Sequence, residues 1–277
     1  MFKISFYIKK KENINIDEFR AYWLGEHAKL QKNYLEKIGV RCYQKCEILP
    51  ENPLGIASVE TYQTRSIHYD FIDHMYFNDI EALKKGVTLP EVHQAMQKLY
   101  QSEDMYVDIQ QSNVLMNVDI AQFYPVDAED VRATFDNDYV RIHYCVRAFP
   151  KLTRQMAQLH WNTCHGAVSR QDIKYSALKK YLQAHAIDST FVNELVKLRG
   201  YEVDSTFIGH AEAWISQVSP SPDYPEEEAA EVAAMSLDDI DLFADKSRSQ
   251  VFVTKDHFII DKKIIVRPMP SFFGAVY

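Results

Sequence analysis

Hydrophobic and polar residues alternate over residues 2–9, a pattern that predicts a β-strand at the start of the chain. The apolar spacing then changes to three or four, which predicts a helix over about residues 16–38 that ends at Gly39. One face of this helix carries Ile16, Phe19, Trp23, His27, Leu30 and Tyr34. The face is apolar apart from the imidazole of His27, so we expect it to pack against a sheet.

The following residues predict further strands and a second helix. Strands are expected around residues 40–48 and 56–63, with the aromatic stretch 67–77 able to pair with them, then a helix over 78–101 interrupted near Pro90, and a strand at 112–121. The resulting order is β-α-β-β-α-β, which is the ferredoxin-like plan of four antiparallel strands with helices on one face.

A second set of similar segments follows the first. Trp23 and His27 recur as Trp161 and His165 at the same offset, 161 − 23 = 138. A strand at 139–147, a helix at 154–170 and a strand at 249–260 are predicted around them, and Asp73 aligns with Asp204 at a shorter offset. These ordered matches indicate a tandem duplication.

The predicted fold class is α+β. We expect two ferredoxin-like repeats packed sheet to sheet as a pseudo-dimer within one chain, because a single repeat leaves one sheet face uncovered. The expected divisions are repeat 1 at 1–121, a linker at 122–138, and repeat 2 at 139–277, which includes an acidic surface insertion at 219–239 and a C-terminal tail at 267–277. Phe272 and Phe273 in the tail could cover the body or a partner subunit.

Composition and charge argue against several classes of protein. The chain has 277 residues, a formal net charge of −8 and no apolar run near the roughly 20 residues that cross a bilayer, so we expect neither nucleic-acid nor membrane partners. Four cysteines are too few for a disulfide scaffold, which favours a cytoplasmic protein. The oligomeric state stays open between a monomer and a homodimer.

The segment Phe19–Ala28 resembles the first-helix signature of the EthD family in the dimeric α+β barrel superfamily, Phe-x-x-Tyr/His-Trp-x-x-x-His. The second half keeps Trp161 and His165 but has Ala157 in place of the first aromatic residue. The resemblance implies a ferredoxin-like barrel with a small-molecule pocket near this helix. It also implies cofactor-free oxygenation, cyclisation, dehydration or decarboxylation of aromatic, polyketide-like compounds.

His27 and His165 are the candidate catalytic residues. An imidazole held on an apolar face is neutral, so it can act as a general base or anchor a phenol or carbonyl group. A buried structural histidine is the competing interpretation. The candidate substrate-binding residues are Trp23, Trp161, Phe6, Tyr7, Phe19, Tyr22 and Tyr144. If one pocket is active, we expect the first.

The sequence contains no zinc-protease, P-loop or dinucleotide-binding motif, so we expect no metal or nucleotide cofactor. The preferred hypothesis is a cofactor-independent enzyme acting on a hydrophobic, aromatic small molecule, with oxygenase or oxidoreductase chemistry first. A cyclase, dehydratase or decarboxylase that uses His27 as acid and base is an alternative. Others are a non-catalytic binder of a hydrophobic ligand or haem, and a structural protein that assembles through its tail.

Overall fold

The structure is a computed structural model that describes residues 2–51, 69–78, 80–125, 131–172, 175–201, 206–217 and 225–262. The strand predicted at 56–63 and the tail at 267–277 lie outside these residues. We call residues 2–123 the first half and residues 139–261 the second half.

The described residues of the first half form four strands and four α-helices. In chain order they are β1 (Phe2–Ile8), α1 (Ile16–Tyr22), α2 (Ala28–Leu35), β2 (Val40–Ile48), β3 (Phe71–Phe77), α3 (Ile80–Gly86), α4 (Pro90–Tyr106) and β4 (Asn113–Phe123). A π-helical turn, Trp23–His27, joins α1 to α2, and a 3₁₀ turn, Ile109–Gln111, precedes β4. Pro90 opens α4, where proline lacks only an N–H that would be unsatisfied in any case.

Among the described residues, the second half has a similar order of elements, except that a helix separates its second and third strands and a single helix separates its third and fourth. They are β5 (Tyr139–Arg147), α5 (Arg154–His160), α6 (Gly166–Asp172), β6 (Leu178–Ala186), α7 (Thr190–Arg199), β7 (Phe207–Ser216), α8 (Glu226–Phe243) and β8 (Gln250–Asp261). A π-helical turn, Trp161–His165, again joins the first two helices. Asn15 and Thr153 cap α1 and α5 with their side chains, as expected for these residue types.

The eight strands form one closed barrel in the order β1-β3-β2-β8-β5-β7-β6-β4. Each half supplies four neighbouring strands, and antiparallel pairs β2–β8 and β4–β6 join the halves. The expectation of an α+β barrel is therefore met. The expected face-to-face packing of two separate sheets is not, because their edges pair and leave a shared interior.

Alternation along β1 separates two environments. Phe2, Ile4 and Ile8 pack in a hydrophobic core with residues of α1, α2 and α4. Lys3 and Tyr7 point the other way and contact Glu212 and His210 on β7, a strand that does not pair with β1. Such contacts cross the barrel interior, so helix-side and interior sites are separate.

Two segments differ from their predicted form. Residues 226–239, expected within an acidic insertion, belong to α8, which packs on α6 and on the Trp161–His165 turn. In the expected linker, β4 extends to Phe123, and Val131 and Ala133 pack with Leu182 and Trp214 at the barrel. No helix in the described part of the chain combines the length and apolar character that a bilayer crossing requires.

Candidate functional site

Both Trp-x-x-x-His segments adopt a π-helical turn inside a longer helix. A π turn adds a residue to the helical repeat and rotates the side chains that follow it; such turns occur frequently at functional sites. In the first half the turn stacks the Trp23 and His27 rings at a centroid separation of 3.6 Å. The apolar face predicted for this helix holds for Phe19, Trp23, His27 and Tyr34, which are buried, whereas Ile16 is exposed.

His27 is fully buried and both of its ring nitrogens have partners. Nδ1 lies 2.9 Å from the Lys45 ammonium, and Nε2 lies 2.9 Å from Glu103 Oε1. Because an ammonium can only donate, Nδ1 accepts and the Nε2–H donates to Glu103. Neither nitrogen is left for a substrate in this arrangement.

Lys45 links His27 to Asp73. The ammonium lies 2.9 Å from Asp73 Oδ2 and 3.8 Å from the centroid of the Trp23 ring, which adds a cation–π contact. Asp73 also accepts hydrogen bonds from Trp23 Nε1 at 3.1 Å and from the Tyr43 hydroxyl at 2.5 Å. The network is therefore well satisfied.

Burial changes the acidities in this network. It raises the pKa of Glu103 to about 7, against the opposing effect of Arg199, whose Nε lies 3.1 Å from Oε2. Burial likewise lowers the pKa of Lys45 to about 8, although Asp73 opposes the change. Burial, with the charge of Lys45, holds the pKa of His27 well below its ordinary value, so this imidazole is neutral.

The cavity beside this network has a volume of only about 90 Å³. It is lined by Phe6, Trp23, Asp73, Glu103 and Arg199 among apolar residues of the sheet and helices, and neither His27 nor Lys45 lines it. Ligand pockets typically span roughly 300–1,000 Å³. The cavity of the first half is therefore smaller than a typical ligand pocket, and the expectation that the first half carries the working pocket stays a prediction.

The second half encloses a cavity of about 360 Å³ between the outer face of the sheet and helices α6 and α8. Three predicted site residues, Tyr144, Trp161 and His165, line it. Much of the remaining wall is apolar, with Tyr181, Leu237, Ile240 and Phe243 among its members. The volume lies within the range of small-molecule pockets.

His165 is the ionisable residue at this wall that has a carboxylate partner. Its Nδ1 lies 3.0 Å from Asp239 Oδ2, while Nε2 has no hydrogen-bond partner among the described residues. Burial lowers the pKa of His165, and Asp239 opposes part of that change. The carboxylate fixes the N–H on Nδ1 and leaves the Nε2 lone pair available, which is the arrangement of a general base.

Asp239 holds two histidines at once. Its other oxygen lies 2.9 Å from Nε2 of His160, on the preceding helix. Asp239 lies in the segment predicted as a surface insertion, so it was not predicted as a site residue. A single Asp on one side of a helix forms no recognisable sequence motif. Asp239 could have been identified only if the segment that forms α8 had first been predicted as a helix.

Strand register explains why the two halves differ. In the first half Phe6 lies opposite Asp73, and Asp73 lies opposite Lys45. In the second half Tyr144 lies opposite Ala211, and Ala211 lies opposite Gln183. The position of Asp73 is therefore taken by Ala211, whereas Asp204, with which Asp73 aligns in the sequence, lies outside the described residues. Without these charges, Trp161 stacks instead on His185 at 4.7 Å.

The other predicted binding residues occupy different environments. Phe19 stacks on Trp23 at 5.4 Å within the core, and Tyr22 stacks on Tyr106 at 3.9 Å. The Tyr7 hydroxyl points into the barrel, 2.9 Å from Nδ1 of His210. The structure thus brings Phe6 and Trp23 to the small cavity, and Tyr144, Trp161 and His165 to the large one.

Two proteins of known structure are similar to this chain at low sequence identity. An anthrone oxidase-like protein of known structure is similar with a TM-score of 0.52 and 8% identity, over 95% of this chain and 94% of its own. A provisionally named monooxygenase from Lactobacillus acidophilus has a TM-score of 0.46 and 8% identity, over 96% of this chain and 98% of its own. At such identities the likeness concerns the fold. A comparison with curated protein sequences gave no match.

The family model of the EthD domain matches residues 11–108. The match spans α1, the Trp23–His27 turn, α2, β2, β3 and the helices that follow, so it covers the segment on which the resemblance was based. Residues 11–108 of this chain are therefore similar to the EthD domain.

Proposed function

We propose that this protein is an enzyme that binds a hydrophobic, aromatic small molecule in the second-half cavity, and that His165 removes a proton from it. The observation that carries the proposal is the His165–Asp239 pair at the cavity wall, with Nδ1 held by the carboxylate and Nε2 unpartnered among the described residues. Because His27 is closed off by Lys45 and Glu103, the catalytic role is assigned to His165.

The cavity wall fits a flat apolar substrate. Trp161 and Phe243 are buried aromatic residues on one side of the cavity, and Tyr144 lies on the sheet opposite the helices. Aromatic walls bind flat ring systems by stacking and by removing apolar surface from water. An apolar wall also excludes water, which protects a basic intermediate from being quenched.

Proton abstraction is the first step of the preferred reaction. Nε2 takes the proton of an acidic C–H bond and leaves a carbanion, which transfers one electron to O₂. The resulting radical pair forms a C–O bond, and the peroxide takes the proton back from His165. With anthrone as substrate, loss of water from the hydroperoxide gives anthraquinone, so anthrone and O₂ yield anthraquinone and water. The anthrone oxidase-like neighbour supports this choice of probe.

The test is anthrone oxidation by the purified full chain, with and without O₂. Wild-type protein should accelerate anthraquinone formation in air, and His165→Ala should reduce the rate constant by about 10²–10⁴-fold, the usual contribution of a general base. The exposed histidine variant His93→Ala should retain the wild-type rate. Full activity of His165→Ala would show that the assignment is wrong.

The dependence on O₂ separates the reaction classes. If substrates are consumed equally well without O₂, the enzyme is a cyclase, dehydratase or decarboxylase that uses the same base, and the oxygenation step is wrong. If no substrate turns over and a ligand or haem co-purifies, as an extractable compound or a Soret band, the protein is a binder, and the catalytic role of His165 is wrong.

Asp239 is proposed as a positioning residue. Asp239→Asn removes the carboxylate that raises the pKa of His165, so the pKa should fall further and the acidic limb of the rate profile should move to lower pH. The rate constant at its plateau should also fall, by about tenfold or more, because the tautomer is no longer fixed. An unchanged pH profile would contradict this role. Loss of folded protein alone would lower the rate at every pH and would not shift the profile.

A further inference from the structure

A cluster of three histidines and one glutamate lies inside the barrel, apart from the cavity of the proposed function. His74 is on β3, His143 is on β5, and His210 and Glu212 are on β7; all four are fully buried. One potential ligand atom from each residue lies within 4.8 Å of all the others. We propose that these four side chains bind one divalent first-row transition-metal ion that fastens the two halves of the barrel together.

Two of the imidazole nitrogens are buried and have no hydrogen-bond partner. They are Nε2 of His74 and Nδ1 of His143. A buried nitrogen without a partner carries a desolvation cost that native structures normally avoid. A metal ion at the centre of the cluster would give both lone pairs a partner.

The opposite nitrogen of each ring is held by a neighbouring side chain. Ser5 Oγ lies 2.9 Å from His74 Nδ1, Thr254 Oγ1 lies 3.2 Å from His143 Nε2, and the Tyr7 hydroxyl lies 2.9 Å from His210 Nδ1. Metal-binding histidines are normally oriented in this way, through a hydrogen bond on the nitrogen that does not bind the metal.

His210 and Glu212 would have to rearrange in order to bind a metal ion. Nε2 of His210 lies 2.7 Å from Oε1 of Glu212, so a hydrogen now occupies the space between them. With metal bound, His210 would carry its N–H on Nδ1, where the oxygen of Tyr7 accepts it. In a tetrahedral shell, ligand atoms about 2.1 Å from the metal are about 3.4 Å apart, so ligand atoms that are now up to 4.8 Å apart would have to approach one another by about 1.4 Å at most.

The surrounding charges leave room for a cation. Glu212, Asp119 and Asp256 bring three negative charges, against the positive charges of Lys3 and Arg141. Lys180 also lies near Glu212 and Asp256, and burial lowers its pKa to about 7, so its positive charge is only partial near neutral pH. The Lys3 ammonium contacts both Glu212 and Asp119, at 2.8 Å from the latter, so it keeps a carboxylate partner when Oε1 of Glu212 binds a metal.

Donor chemistry fits a transition metal. Imidazole nitrogen suits zinc, iron, nickel and copper, and four protein ligands complete a tetrahedral shell of the kind found at structural sites. A cavity of about 260 Å³ at one barrel end is lined by Gln44 and Asp256, which contact Arg141, itself bonded to Glu212. Arg141 therefore separates this cavity from the cluster.

This site differs from the prediction of no metal, which followed from the lack of closely spaced ligands in the sequence. These residues lie 69, 67 and 2 positions apart along the chain, on strands that only the barrel brings together. Strand alternation places them on the same interior face, which becomes visible once the register is known.

The test uses Co²⁺ as an optical probe with full-length protein stripped of metal by a chelator. One Co²⁺ ion per chain should bind, with the visible bands of a four-coordinate site, and Zn²⁺ should displace it and raise the unfolding temperature. His74→Gln and His143→Gln should weaken Co²⁺ binding at least about tenfold, and Thr254→Val, which keeps all four ligands, about 10–100-fold. The exposed control His93→Gln should bind as wild type does.

If a variant fails to fold, X-ray absorption of Co²⁺-loaded wild-type protein still tests the proposal, because this measurement counts the imidazole ligands directly. Three imidazoles and a carboxylate would support the site. Failure of folded wild-type protein to bind Co²⁺, binding through oxygen ligands alone, or unchanged binding by a folded His143→Gln would overturn it. None of these outcomes depends on the proposed activity.

Discussion

The buried pair of Lys45 and Asp73 offers a quantitative test of how the first half is held together. The second half has Gln183 and Ala211 at the corresponding positions of its strands. The variants Lys45→Gln, Asp73→Ala and the double variant therefore introduce residues that the same type of sheet already accommodates. Together with wild type they form a double-mutant cycle.

The expected magnitudes follow from the burial of the pair, whose side chains are 0% and 2% exposed. Asp73→Ala leaves the Lys45 ammonium buried without its carboxylate, and breaking such a pair costs about 3–5 kcal/mol. Lys45→Gln leaves the carboxylate with only its Trp23 and Tyr43 donors and should cost a similar amount. The double variant removes both charges, so we expect it to cost no more than either single variant. The coupling is then about 3 kcal/mol.

Urea unfolding monitored by fluorescence measures these differences. A loss of about 3 kcal/mol lowers the midpoint by about 1 M when the urea dependence is about 3 kcal/mol/M. The exposed pair Lys84–Glu81 is the control, and its cycle should give a coupling below about 0.5 kcal/mol. A coupling below about 1 kcal/mol for Lys45 and Asp73 would refute the reasoning, because it would mean that the freed charge reaches water.

Two further predictions concern acidity and backbone geometry. Burial raises the pKa of Glu103 from 4.5 to about 7, so its contribution of about 3 kcal/mol to stability is complete below about pH 4.5 and is lost as the pH rises through about 7. The unfolding free energy of wild type minus that of Glu103→Gln should fall over this range in urea titrations at several pH values; a constant difference would contradict the pKa. Gly209 has φ +146° and an added Cβ would lie 2.0 Å from the carbonyl oxygen of Ala184, so Gly209→Ala should cost more than about 2 kcal/mol in the same assay. Gly25→Ala meets no atom within 4 Å and should be neutral or stabilising by up to about 1 kcal/mol; equal effects of the two alanines would argue against the packing seen at Gly209.

Much of the fold was accessible from periodicity. The predicted strands at 40–48 and 139–147 coincide with β2 and β5, and the interruption of a helix near Pro90 separates α3 from α4. The edge pairing that closes the barrel was not predictable, because hydrophobic alternation states which face is buried and not which strand lies alongside. The duplication itself stays a prediction.

The candidate site was predictable only in part. The Trp-x-x-x-His pattern led to His165 and to the wall formed by Trp161, but the partners that decide what each histidine can do come from elsewhere in the chain. Lys45, Glu103 and Asp239 lie 18, 76 and 74 residues from the histidines they contact. No local motif encodes such contacts, and the π turns that aim the rings depend on tertiary packing.

The difference between the halves indicates how space for a ligand is created in this fold. Glu103 and Ile240 hold the same place on their helices, four residues before Val107 and Ala244, which form matching bridges to the end of each first strand. In the first half the long charged side chains of Lys45 and Glu103 meet over His27 and fill the space between helix and sheet. In the second half Gln183, Ala211 and Ile240 supply no charge for His165, which turns to Asp239 at the edge of an open apolar cavity. A histidine enclosed by charges is suited to holding a core together. A histidine whose Nε2 has no hydrogen-bond partner among the described residues, and which lies beside an apolar cavity, is the one to which we assign the proposed chemistry.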